Sequence, residues 1–260
     1  EWEIDISENR SASNNNRNIG FYADEIRTIS SSNGHSYYRS DKSQNAIGWN
    51  GNNRDPGDLL NSYPNFGDGA SPGIVWVGDV LYFLSYYDGS INKYNFSTNQ
   101  SEFVFETNME NAFGLTWDGE YFWIGWSGNF YGYDIDGNSV GSFSSPFGDD
   151  LCPITWNGQN FLISALDMTT LYEIDYSGNV NEIYNDVYIN YMTWVPEHSD
   201  GQLWIYFGEI AQQANISEGS LNIINEFYLG SYDYNISHNG TDLWFGGWDS
   251  PILYQFDDGI

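Results

Sequence analysis

The chain has 260 residues, with 36 Asp and Glu against 7 Lys and Arg, and a formal charge of −29 at neutral pH. A surface of that sign repels nucleic acid, anionic membranes and polyanionic glycans unless cations bridge them, and no apolar run approaches the length of a membrane span. Aromatic residues make up 18% and charged residues only 17%, so thin layers can cohere through buried rings, each worth roughly 1.5 to 3 kcal/mol.

From its first residue the chain reads as strands and turns. "EWEIDISE", residues 1–8, alternates Trp2, Ile4 and Ile6 with acids, the pattern of a half-buried strand. Residues 9–24 are polar and Asn-rich and read as a surface crossing. "TISSSNGHSYYRS" then places an Asn33-Gly34 turn between two short strands, and residues 52–73 carry Pro and Gly turns with room for one short outer strand. After them one arrangement returns in "PGIVWVGDVLYFLS", "GLTWDGEYFWIGW", "CPITWNGQNFLIS", "NYMTWVPEHSDGQLWIYF" and "YNISHNGTDLWFGGW": a strand, a turn and a second, aromatic strand.

The period can be measured. The last residue before each turn is Trp76, Trp117, Trp156, Trp194 and His238, which by subtraction are 41, 39, 38 and 44 residues apart. A large residue follows six positions later in four units (Tyr82, Trp123, Leu162, Trp244), and ten later at Trp204, where the turn is longer by four. A third strand repeats Tyr94, Tyr133, Tyr172 and Tyr254, and a fourth such as "SVGSF" completes the unit. Four antiparallel strands at this period make a propeller blade.

The fold class expected is therefore all-β: a six-bladed β-propeller of four-stranded antiparallel blades, with five blades as the alternative count. One domain spans 1–260, with blades starting near 25, 70, 111, 150, 188 and 232. After His238 only two strands fit, so the last blade lacks its outer strand and residues 1–8 are expected to close it. Within each unit the turn glycines reverse the chain, and Trp117 and Trp123 are expected to pack between blades.

"GLTWDGEYFWIGW…FYGYDIDGNSVGSF" resembles the blades of six-bladed propellers of the NHL-repeat and gluconolactonase-like group, whose inner G-[LI]-x-W-D-G turn precedes an L-W strand and an I-Y-x-[IF]-D strand. The resemblance is closest over 113–183 and 234–258. It implies the fold; among functions it implies lactonases that hold a divalent ion through Glu, Asn and Asp in the channel, and binding proteins that catalyse nothing. Glu110, Asn111 and Asp150 are chemically suited to such an ion.

The links between outer and inner strands share one rim with the links between second and third strands, and every unit places acids there. Converging carboxylates and amides suit Ca²⁺, and Glu110, Asn111, Asp149 and Asp150 are the expected ligands; no cofactor is otherwise required. Tyr86, Tyr87, Trp126 and Trp248 end the second strands on the same rim and are the expected ligand platform. "DIDGN", residues 134–138, resembles the start of an EF-hand loop but lacks the later Glu and falls on a hairpin turn. Cys152, the single cysteine, excludes an intramolecular disulfide and reads as a small buried hydrophobe.

The three histidines, His35, His198 and His238, stand in or beside the inner turns on the opposite rim, and no nucleophile elbow, zinc-protease motif or phosphate loop occurs. The chain opens at Glu1 with no leader, as a processed secreted protein or a trimmed chain would. Of the N-x-Ser/Thr sequons, Asn9 and Asn215 fall in expected loops and are the expected glycan acceptors. The reading is a non-enzymatic extracellular or cell-surface propeller, a recognition module or building block of a surface assembly with a protein or glycan partner, able to self-associate by exchanging its N-terminal strand. Two alternatives stand beside it: a Ca-dependent lactonase-like hydrolase and a glycan-binding propeller.

Overall fold

The structure is a computed structural model that describes residues 26–30, 36–40, 55–67, 70–148, 152–164, 169–185, 187–198, 201–217, 219–229, 234–247 and 251–260. The contacts divide the chain into two units, residues 1–54 and 55–260. In the first, β1 (Ile26–Ser30) and β2 (Ser36–Ser40) form an antiparallel hairpin with Ile26 opposite Ser40. No helix among the described residues is long and apolar enough to cross a membrane.

The second unit begins with β3 (Leu59–Pro64) and continues as a ring of blades. The first blade is β4 (Gly73–Val77), β5 (Val80–Leu84), β6 (Ser90–Asn95) and β7 (Gln100–Glu106); the second is β8 (Phe113–Trp117), β9 (Phe122–Trp126), β10 (Asn129–Tyr133) and β11 (Ser139–Ser144). The third holds β12 (Ile154–Trp156), β13 (Phe161–Ser164), β14 (Thr170–Ile174) and β15 (Val180–Asn185). The fourth holds β16 (Tyr191–Trp194), β17 (Leu203–Phe207), β18 (Ile210–Ser217) and β19 (Ser220–Tyr228). The fifth is β20 (Tyr234–His238), β21 (Asp242–Gly247) and β22 (Ile252–Asp257), completed by β3.

The inner strands β4, β8, β12, β16 and β20 each touch the next, and β20 returns to β4, so the ring is closed. The propeller thus has five blades among the described residues, the alternative count; near residue 25 stands the two-stranded hairpin rather than a sixth blade. An early strand does complete the last blade, namely β3, while residues 1–8, the expected closing strand, lie outside the described residues. The reason lies in β3's side chains. Tyr63 stacks on Trp244 with centroids 5.6 Å apart, and Asn61 donates to Gln255 at 2.8 Å, so the strand supplies both the apolar and the polar partner that β22 lacked.

Each seam between blades is an aromatic and aliphatic core. Trp123, Phe143 and Phe161 meet between the second and third blades, and Phe66, Phe83, Tyr94 and Trp244 meet where the fifth blade joins the first. The inner turns explain the repeated Asp/Asn-Gly. Asp118, Asn157 and Asn239 each use Oδ1 to accept two backbone N–H groups of their own turn, and the glycine that follows takes positive φ (Gly119 +108°). The acid or amide therefore caps the turn, and the glycine alone supplies the left-handed residue.

Candidate functional site

Residues at the same position in successive blades lie at the same height around the ring axis. Trp76, Trp117, Trp156 and Trp194 accordingly come together at the inner-turn end of the channel, where with His238 they line a cavity of about 310 Å³. Each indole also packs on the core of a seam: Trp76 lies 5.6 Å from Phe96, stacked, Trp117 is 4.7 Å from Phe122, and Trp156 is 4.7 Å from Phe161. All four remain half-buried, so inter-blade packing and cavity lining are done by the same side chains.

Polar groups between the indoles are hydroxyls and carboxylates: Thr116, Thr155, Thr193, Ser237, Asp118 and Glu197, with no Lys or Arg in the lining. Thr155 accepts the backbone N–H of Trp194 at 3.0 Å and ties the third blade to the fourth. Both oxygens of Asp118 are occupied. Oδ1 caps the turn, while Oδ2 accepts from the Trp123 indole at 2.7 Å and the Tyr176 hydroxyl at 2.9 Å. Tyr176 is raised above its ordinary value, first by burial and then by donating to that carboxylate. Glu197 is exposed at the cavity mouth.

Beside the cavity lies a buried cluster of His198, His238 and Asp258, whose ligand atoms fall within 4.8 Å of one another. His238 Nε2 stands 2.7 Å and His198 Nε2 3.4 Å from Asp258 Oδ2. The other ring nitrogens are acceptors: Gly240 N–H donates to His238 Nδ1 at 2.9 Å, and the Trp204 indole donates to His198 Nδ1 at 3.1 Å. Each imidazole therefore carries its proton on Nε2, aimed at Asp258. A metal-bound imidazole needs the reverse, with its second nitrogen donating to a carbonyl or carboxylate, so the surroundings do not suit an ion. The cluster is a latch, joining the turns of the fourth and fifth blades to the strand end after β22.

Burial lowers His198 below the ordinary imidazole value and the neighbouring His238 adds to the effect, with Asp258 and Glu197 opposing it. Burial acts to raise Asp258, but the His238 hydrogen bond and the backbone N–H of Ile260 outweigh it and hold the carboxyl below its usual value.

At the other end of the ring, Tyr86, Tyr87, Glu110, Asn111 and Trp126 come together. The Asn111 N–H donates to the Tyr86 carbonyl at 2.8 Å, and the Trp126 indole donates to the Glu110 carbonyl at 2.8 Å. The rings of Tyr86 and Tyr87 are 6.0 Å apart, and Tyr87 is 63% and Trp126 37% exposed. The pocket beside Trp126 measures about 20 Å³, the size of a water. Trp248, Asp149, Asp150 and Asn9 lie outside the described residues. Asn215 stands within β18, paired with Asn222, rather than in a loop, because the hairpin turn falls further on at Gly219. In "DIDGN" the Asp134 carboxylate accepts from the Asp136 and Asn138 N–H groups and from the Asn138 amide, a hydrogen-bonded turn complete in itself. Cys152 is buried.

The Trp cavity and the latch were not singled out from the sequence. Their signals were present: the anchors share one blade position, which places them on one circle, and the longer fourth turn "VPEHSDG" carries His198 across to His238.

No protein-family model matches the chain, and no curated protein does. Among solved structures, Myxococcus xanthus glutaminyl cyclase aligns with a TM-score of 0.59 at 13% identity, over 76% of this chain and 94% of that one. A chain of a nidogen/laminin complex aligns with a TM-score of 0.54 at 14% identity, over 72% and 75%. A protein of unknown function from Bacteroides caccae follows at 0.51 and 11%, over 73% and 78%. At these identities the likeness is one of fold.

Proposed function

We propose that this five-bladed propeller is a non-enzymatic recognition module, acting outside the cell or at its surface, that takes a small ligand into the Trp-lined end of its channel. One observation carries the reading: four indoles from the same position in successive blades line a single cavity of about 310 Å³. That volume lies at the lower end of the range of small-ligand sites, and indole faces with interspersed hydroxyls are their usual lining. The histidines support binding over acid/base catalysis, since both ring nitrogens of His198 and of His238 are engaged within the protein. A nucleophile at the cavity would find no free imidazole beside it.

The test is a panel of neutral sugars, amines and short peptides titrated against the protein by intrinsic Trp fluorescence and calorimetry. Trp156→Ala should weaken any hit about tenfold or more, on the scale of a lost aromatic contact, without a matching loss in Tyr87→Ala. Hits that respond to Tyr87→Ala and ignore Trp156→Ala would move the site to the opposite face. That second reading, a glycan platform at Tyr86, Tyr87 and Trp126, is favoured by the exposure of Tyr87 and Trp126. A Ca²⁺ site at Glu110 and Asn111 belongs to the same face and would appear as heat on titrating the ion.

A further inference from the structure

The cavity combines two properties that select one chemistry. Its walls are four indoles, the aromatic faces that attract cations most strongly, and its charged lining residues are all carboxylates, Asp118 and Glu197. The remaining titratable lining group, His238, accepts the Gly240 N–H at Nδ1 and turns Nε2 to Asp258, so its ring nitrogens are engaged by the protein rather than presented to a ligand. Neighbouring groups do not change the sign. His198 is lowered by burial, and the buried carboxylate beside it, Asp258, is hydrogen-bonded to His238. The whole chain adds a field of the same sign, with a formal charge of −29.

The two carboxylates differ in what they can do for a ligand. Asp118 spends its oxygens on its own turn, on Trp123 and on Tyr176, and acts only through its charge. Glu197 is exposed at the mouth and can turn to an entering group. A neutral sugar would gain from the indoles but leave the paired negative charge without a counterpart. An anion would be repelled by both.

We infer that the ligand of the Trp cavity is an organic cation, a substituted ammonium group held against Trp76, Trp117, Trp156 and Trp194 with Glu197 as its counter-charge. This rests on the proposal that the cavity is the ligand site, and it adds the ligand's chemical class. Specificity follows from geometry: alkyl groups on the nitrogen fill the space between indoles and spread the charge over their faces, whereas a small hydrated ion makes neither contact.

The experiment titrates the protein with choline and with 3,3-dimethyl-1-butanol, its uncharged isostere of the same shape, by calorimetry and Trp fluorescence at low and at about 0.15 M salt, where exposed charges are screened beyond roughly 8 Å. Choline should bind at least about tenfold more tightly than the isostere, and salt should weaken it. Glu197→Gln, at an exposed position that leaves the fold undisturbed, should cost about threefold or more and remove much of the salt dependence. Trp156→Ala should cost about tenfold. Equal affinity for choline and the isostere overturns the inference. If neither binds but a neutral sugar does, and Trp156→Ala abolishes that binding, the cation is wrong and the recognition site stands. If nothing in the panel responds, both fall.

Discussion

Trp123 and Trp244 occupy the same position in the second and fifth blades and are both buried, yet their indole N–H groups meet different fates. Trp123 donates to Asp118 Oδ2 at 2.7 Å, while the Trp244 N–H has no hydrogen-bond partner among the described residues. Replacing either by Phe removes a similar volume, so the difference isolates one charge-assisted hydrogen bond. Trp123→Phe should destabilise by about 1.5 to 3 kcal/mol more than Trp244→Phe, read as the difference in urea midpoints; equal losses would mean that the Asp118 bond contributes nothing net. His198 sets a second expectation. Its folded value is lowered, so the unfolded chain takes up the proton first as pH falls below 6.5. Stability from the latch is therefore full above pH 6.5 and is lost as pH falls toward the folded value. Asp258, also lowered, continues the loss below 3.8. Melting temperature should fall more steeply between pH 6.5 and 5 in the native chain than in His198→Gln, and parallel slopes would remove the latch from the account. Neither pairing could be read from the sequence, because each depends on which turn faces which across a seam, while turn capping by Asp118 and Asn157 follows from local chemistry and was readable as a turn.

β3 shows what a repeat hides. The five inner turns announce themselves by period, and strands two to four of most blades follow in phase, so the fold class was readable from one sequence. β3 has no phase: "LLNSYP" sits between Pro and Gly turns, outside the repeat, and resembles a loop with one short strand. Residues 1–8 have the cleaner alternation and were for that reason the stronger candidate for closure. What selects β3 is tertiary, namely Tyr63 against Phe96 and Trp244, at 5.0 and 5.6 Å, and Asn61 on Gln255. Tyr63→Ala should therefore cost about 2 kcal/mol or more, as removal of a packed ring does, whereas Phe103→Ala on the exposed outer strand β7 should stay within about 0.5 kcal/mol. A chemical denaturation series compares them directly. Equal small effects would show that the fifth blade does not need β3.

The ring as a whole carries its charge as a burden on stability. With 36 acids against 7 Lys and Arg in the chain, and Lys93 to Glu102 at 3.4 Å as the one Lys or Arg ion pair among the described residues, acids mostly repel one another. Added salt screens that repulsion within a Debye length, roughly 10 Å at 0.1 M. Thermal unfolding should shift upward by several degrees between about 0.01 and 0.3 M NaCl, while any cation held at the Trp end loses affinity over the same range. An unchanged melting temperature would mean that the acids are spaced widely enough not to matter. The same ring imposes an order of assembly. Asn61 and Gln255 are bonded across a separation of 194 residues, so the strand of the ring that leaves the ribosome first finds its partner last. Until then Leu59, Leu60 and Tyr63 belong to a strand edge without its partner, the state in which repeat folds misassemble. Closure of the ring is therefore a pairing of the two most distant strands of the propeller, the kind of contact that forms late and slowly.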